Sequence, residues 1–198
     1  FSKTLAARLS QNADVLLGAD APERARIDIV HLHKLARDTW VNTLKRRFAF
    51  INAKRFNELL QAAIARSGVA DYSPAFLRAE WEAIVNFWGI GDEAAYLGAS
   101  RKGRGTRLTA RQRGAIWRVF AELLAVLEEK YYMTWERLCF RLAAELAERP
   151  PPYWHVVADE AQDFGPAEFR LLRALVAPGD DDLFLCGDAG QLIYQPRF

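Results

Sequence analysis

Apolar positions recur at helical spacing through the middle of the chain and at strand-like spacing near both ends. Leu77, Trp81, Ile84, Val85 and Trp88 fall at i, i+4, i+7, i+8 and i+11 behind a Ser73-Pro74 start signal, which predicts an amphipathic helix. Ile116, Phe120, Leu123, Leu124 and Leu127 repeat the pattern, with Thr109-x-x-Gln112 ahead of them as a capping box. A third helix is expected after Thr134, with Trp135, Leu138, Leu142 and Leu146 on one face, and Pro150-Pro151-Pro152 stops it. At helical spacing most aromatic residues of this block belong to a core, not to a base-stacking surface.

The ends differ. Leu5 to Leu9 predict a short helix, and Gly18 to Pro22 a polar turn. Ile27-Asp28-Ile29-Val30-His31-Leu32 alternates and is β-branched, which predicts a strand. Tyr153 to Ala158 predict a buried strand with Asp159 at its carboxyl end. Gly165-Pro166 open a helix carrying Phe169, Leu171, Leu172 and Leu175, and Leu183-Phe184-Leu185-Cys186 form a last strand. Strand–helix–strand units at both ends predict an α/β fold, a parallel sheet interrupted by an all-helical insertion of about 100 residues. The expected divisions are 1–45, 46–150 and 151–198.

With 198 residues, 51% hydrophobic and 26% charged, the chain is excluded from the disordered, collagen-like and low-complexity classes. Cys139 and Cys186 stand far apart without CxxC spacing, so neither a disulfide framework nor a zinc knuckle is expected, and a reducing cytoplasm is the simplest location. No apolar run approaches the roughly 20 residues that cross a bilayer, so no membrane partner is expected. The chain opens on Phe1-Ser2-Lys3 without a methionine and reads as a piece of a longer protein.

The net charge of +2 conceals an asymmetry. Residues 1–150 hold 24 Lys and Arg against 17 acids, whereas residues 151–198 hold 3 against 8. Arg101, Lys102, Arg104, Arg107, Arg111, Arg113 and Arg118 follow one another with no intervening acid, between glycines that let backbone approach a ligand closely. Such a stripe suits phosphate backbones, and equally a solvated helix face.

Two acidic clusters end the two predicted carboxy-terminal strands, where open α/β sheets bind ligands. In Asp159-Glu160-Ala161-Gln162-Asp163 one carboxylate can hold Mg2+ while the next polarises an attacking water. In Gly187-Asp188-Ala189-Gly190-Gln191-Leu192-Ile193-Tyr194 the glutamine amide can sense a γ-phosphate, since it both donates and accepts hydrogen bonds. Asp159 and Asp188 are 29 residues apart, and the pairing of both clusters with apolar strands is the strong signal. His31 and His33 share a strand-like face, but no third ligand has matching spacing for zinc. Asp180-Asp181-Asp182 reads as a polar turn rather than a calcium loop.

Val156 to Asp163 resembles motif II, the Walker B segment, of the UvrD/Rep-type superfamily 1 helicases, and Gly187 to Tyr194 resembles their motif III. Phe1 to Ala6 is similar to motif Ia, Val30 to Ala36 to the motif after it, and the helical block occupies the place of the inserted 1B subdomain. The resemblance implies part of a RecA-like domain of an ATP-driven motor. Such a motor moves on single-stranded DNA, usually 3′ to 5′, and unwinds duplex DNA. It implies Asp159 as the Mg2+ ligand, Glu160 as catalytic base and Gln191 at the γ-phosphate of ATP, with Gln162 and Asp163 in support. It also implies that Phe1, His31, His33 and Tyr194 lie near the strand; the basic stripe, independently of the resemblance, predicts that Arg101, Arg104, Arg107 and Arg111 contact DNA phosphates from the insertion.

No G-x-x-x-x-G-K-[ST] occurs in the chain. The resemblance puts that loop ahead of motif Ia and motifs IV to VI beyond Phe198, so the isolated chain is expected to be inactive without the remaining helicase domains of its polypeptide. An incomplete sheet would also favour self-association. Ala161 stands where many relatives have an aromatic residue, and Gln195-Pro196-Arg197-Phe198 replaces the usual Gly-Trp-Arg. The other classes consistent with these residues are a non-catalytic nucleic-acid-binding module, a helicase–nuclease fusion, and a metal-dependent hydrolase. The last gives Gln191 no task.

Overall fold

The computed structural model describes residues 3–188 and 190, with the chain falling into two compact units, 1–47 and 48–198. In the first unit, helix α1 (Lys3–Leu17) runs well past the expected Leu9. Arg24, in a 3-10 turn, ties the following loop to it, donating to Asp14 Oδ1 at 2.6 Å and to Ser10 Oγ at 2.7 Å. The strand predicted over 27–32 does not form. Ile27 is extended, but residues 27–31 pair with no neighbouring strand among the described residues, and a strand without a ladder leaves its backbone groups unmet. His31 instead caps helix α2 (Leu32–Asp38): its ring accepts from His33 N at 3.1 Å and its carbonyl from Leu35 N at 3.0 Å.

The second unit is built around helices α3 (Ala53–Ser67), α4 (Pro74–Glu80), α5 (Glu93–Gly98), α6 (Ala110–Glu129) and α7 (Trp135–Ala147). The predicted start signals are all used. Ser73 Oγ accepts from Phe76 N, Thr134 Oγ1 from Arg137 N, and Thr109 and Gln112 close a reciprocal capping box. Leu77, Ile116, Phe120, Leu123 and Leu127 are fully buried, and Trp81 meets Phe120 edge-on at 5.5 Å. The helix read from Ser73 to Trp88 is not uniform. After Glu80 it widens into a π-helical turn, Trp81–Asn86.

The middle block is also not purely helical. Strands β1 (Ala49–Phe50) and β2 (Tyr132–Met133) pair in parallel, a two-residue ladder too short for periodicity to reveal. Beyond the prolines, β3 (Val156–Ala158), α8 (Pro166–Ala174) and β4 (Leu183–Leu185) give the predicted strand–helix–strand unit, with β3 parallel to β4 and Val157 opposite Phe184. The carboxy-terminal unit is therefore mixed helix and strand, with small parallel sheets. The expectation of a buried strand from Tyr153 fails. Only Val156–Ala158 pair with β4, and Trp154, Val157 and Phe184 are 89%, 72% and 63% exposed. Glu168 anchors α8: one carboxylate oxygen accepts from Gly165 N at 3.1 Å and the other from Trp135 Nε1 of α7. Among the described residues no helix is long and apolar enough to cross a membrane.

Candidate active site

Backbone pairing continues past the strand ends and shapes the loop that carries the carboxylates. Cys186 N donates to Ala158 O and Ala161 N to Cys186 O, both at 2.8 Å. Between these two bonds the chain turns sharply, and Glu160 takes the left-handed conformation (φ 57°, ψ 35°). That conformation costs a non-glycine residue roughly 1–2 kcal/mol, and strain of this kind concentrates at functional sites. The Asp159 carboxylate accepts from Glu160 N at 2.9 Å, which steadies the turn.

Gln162 joins the two clusters. Its amide Nε2 donates to Glu160 Oε2 at 2.5 Å, and its Oε1 accepts from Asp188 N at 3.1 Å. One side chain therefore orients the Glu160 carboxylate and senses the start of the loop after β4. Gly187 makes the approach feasible, since a Cβ there would strike Gln162 Oε1 and lie 3.0 Å from Gln162 N. Asp188 Oδ1 accepts from Gly190 N at 2.8 Å.

Asp159 is exposed, and among the described residues no cation pairs with Asp159 or Glu160. Both carboxylate oxygens of Asp163 are buried with no hydrogen-bond partner among the described residues. An exposed carboxylate without a paired cation, such as Asp159, suits a divalent cation such as Mg2+, which binds through one or two carboxylates and keeps waters and phosphates as its other ligands. No group of three His, Cys, Asp or Glu forms a closed protein cage among the described residues. Asp182, in the turn ahead of β4, has structural work. Arg173 and Gly179 N bind its carboxylate at 2.9 and 2.8 Å and hold it below the usual carboxylate range.

Phe1, Gln191 and Tyr194 lie outside the described residues. His31 and His33 stack at 4.9 Å at the start of α2, with the His33 ring lowered to about 4 by desolvation and by His31. In the basic stripe the arginines divide. Arg101 donates to both oxygens of Glu80 at 2.6 and 2.8 Å, and Arg104 to one at 3.2 Å. Glu80 itself is 0% exposed and also accepts from Tyr96 Oη at 3.1 Å. Burial would raise its carboxyl, but Arg101, Tyr96 and Arg104 outweigh burial and hold it below the usual range. Lys102, Arg107, Arg111 and Arg118 are exposed.

Sequence reasoning missed Glu80 as the anchor of this loop. The signal was present: an acid between Leu77 and Trp81 lies on the apolar stripe of its helix, where a charge survives only if paired.

No curated protein matches the chain. Residues 110–198 match the family model described as UvrD/REP helicase N-terminal domain, a stretch that runs from α6 through both acidic clusters. The resemblance carried by those clusters is thereby borne out: residues 110–198 are similar to a UvrD/REP-type helicase N-terminal domain.

Proposed function

We propose that this chain is part of an ATP-dependent motor that moves on single-stranded DNA and unwinds duplex DNA, with 3′ to 5′ polarity. The observation that supports it is the Gln162 bridge. The amide that holds Glu160 Oε2 also receives Asp188 N, so a change in the loop after β4 is felt at the carboxylate. A motor needs that kind of coupling, and a simple hydrolase does not.

In this reading Asp159 would hold Mg2+, which would supply positive charge to offset that of the ATP phosphates. Glu160 accepts a proton from the attacking water, its carboxylate aimed by Gln162. Gln191 contacts the γ-phosphate. The exposed arginines, Arg107 and Arg111 foremost, contact DNA phosphates, together with His31, His33, Phe1 and Tyr194, while Arg101 and Arg104 shape the loop through Glu80. Residues 1–45 and 151–198 belong to a RecA-like domain and 46–150 to its insertion. The exposed side chains of Val157 and Phe184 suit packing against further elements of the same polypeptide.

The test is ATP hydrolysis by the full-length gene product, with and without single-stranded DNA, beside Glu160→Gln. DNA-stimulated hydrolysis lost in the variant is the expected result. Hydrolysis absent in the wild type, with DNA binding intact, would replace the motor by a non-catalytic binding module.

A further inference from the structure

Three helical segments meet just past the carboxylate loop, joined by side chains at their ends. Asn86 closes the π-helical turn, and its Oδ1 accepts from Thr134 Oγ1 at 2.5 Å. Thr134 is the N-cap of α7, and Trp135 is the first residue of that helix. The Trp135 indole Nε1 donates to Glu168 Oε1, while Glu168 Oε2 accepts from Gly165 N at 3.1 Å at the start of α8. Gly165 has no side chain with which to cap its own helix, so the side-chain part of that closure falls to Glu168. Behind this contact α7 packs along α8, with Leu138 and Leu142 of one and Leu171 and Leu172 of the other buried.

Gly165 is close to Glu160 along a chain with little slack. From Glu160 to Phe164 the backbone makes one 3-10 turn, Ala161–Asp163, closed by Asp163 N to Glu160 O at 3.1 Å and Phe164 N to Ala161 O at 3.2 Å. A hydrogen-bonded turn leaves few free dihedrals to absorb a displacement of Gly165 before it reaches Glu160. Glu160 is held left-handed, and a non-glycine residue stays in that conformation only where its surroundings over-determine it. Phe87, the residue after Asn86, adds a second brace: a Cβ at Gly165 would lie 3.6 Å from Phe87 Cε2 and 3.3 Å from Glu168 Oε2.

We propose that Glu168 is a positioning residue of the candidate active site, fixing the carboxylate loop against α7 so that Glu160 is presented in its left-handed turn. Its two carboxylate oxygens do separate work, one on each side of the junction. Glu168→Gln keeps one acceptor, which serves Gly165 N or Trp135 Nε1 but not both. Trp135→Phe removes the indole donor and breaks the same tie from the other side. The inference rests on the motor reading for what the loop does, and not for how the loop is held.

The test has two readouts. In the 198-residue chain, amide hydrogen exchange over residues 159–165 should quicken about tenfold in Glu168→Gln and in Trp135→Phe, while exchange in α6 stays as in the wild type. In the full-length protein, each variant should lower kcat for ATP hydrolysis about tenfold with KM for ATP nearly unchanged, and the double variant should be no worse than either single. Arg173→Ala, which removes the Asp182 contact of α8 away from the junction, should leave kcat unchanged. Exchange over 159–165 that is unaltered in both variants, or that quickens equally in α6, would overturn the positioning role. So would unchanged kcat, or losses that add in the double variant. A wild type that hydrolyses no ATP would overturn the motor reading, and the exchange measurement alone would then decide whether Glu168 holds the loop.

Discussion

The Glu80 carboxylate, fully buried, grips the Arg101 guanidinium through both oxygens at 2.6 and 2.8 Å, and so fastens the basic loop to the helical core. Tyr96 and Arg104 complete the shell. Removing one partner of a buried pair strands the other charge, and Glu80→Ala is expected to cost about 3–5 kcal/mol. Urea denaturation of the chain measures this, and a loss under about 1 kcal/mol would show that the pair does not hold the loop. Because the folded state keeps the Glu80 carboxyl below its ordinary value, its contribution is present above the unfolded value and fades as pH falls through the folded one. Glu80→Ala should therefore flatten the acid limb of the stability profile.

The arginines spent on Glu80 are not equivalent to those facing water. If the stripe binds DNA, Arg107 and Arg111 carry the phosphate contacts, and each phosphate contributes about 0.7 to the log–log salt slope on a single strand. Arg107→Ala with Arg111→Ala should lower the slope by about 1.4 while stability stays unchanged. Arg101→Ala should do the reverse, lowering stability first. A double variant with the wild-type slope would remove the stripe from the DNA path.

This division of the stripe also marks where sequence stops being informative. Caps at Ser73, Thr109 and Thr134 were legible because each acts over three residues. The carboxylate loop was legible because an apolar strand positions it. Glu80 meets Arg101 across 21 residues and Gln162 meets Asp188 across 26, and neither local pattern nor propensity encodes such contacts. The strand expected over 27–32 failed for a related reason. Alternation specifies a face, but a strand also needs a partner, and the local cap at His31 won instead.

His33 offers a pH test of that cap. Desolvation and the stacked His31 ring bring its folded value from 6.5 to about 4. Between those values the unfolded chain binds the extra proton, so the stability of α2 falls as pH drops from 6.5 to 4 and levels off below. An NMR titration of the His33 ring should show a midpoint near 4. A midpoint at its ordinary value would mean that the ring is solvated and the stack absent.

Gly187 tests the bridge between the two acidic clusters without touching a carboxylate. The Cβ of Gly187→Ala would collide with Gln162 Oε1 and crowd the backbone at Gln162 N and Ala161 N, so the amide must move. Its Nε2 would then leave Glu160 Oε2, and its Oε1 would leave Asp188 N. Overpacking of this kind costs about 1–3 kcal/mol, and urea denaturation of the chain reads it. In the full-length protein the same variant should lose DNA stimulation of ATP hydrolysis more than basal hydrolysis. Gln162→Ala, which removes the bridge without a collision, should reproduce the uncoupling while keeping most of the stability. Uncoupling in Gly187→Ala but not in Gln162→Ala would assign the effect to backbone displacement and take the coupling role away from the glutamine.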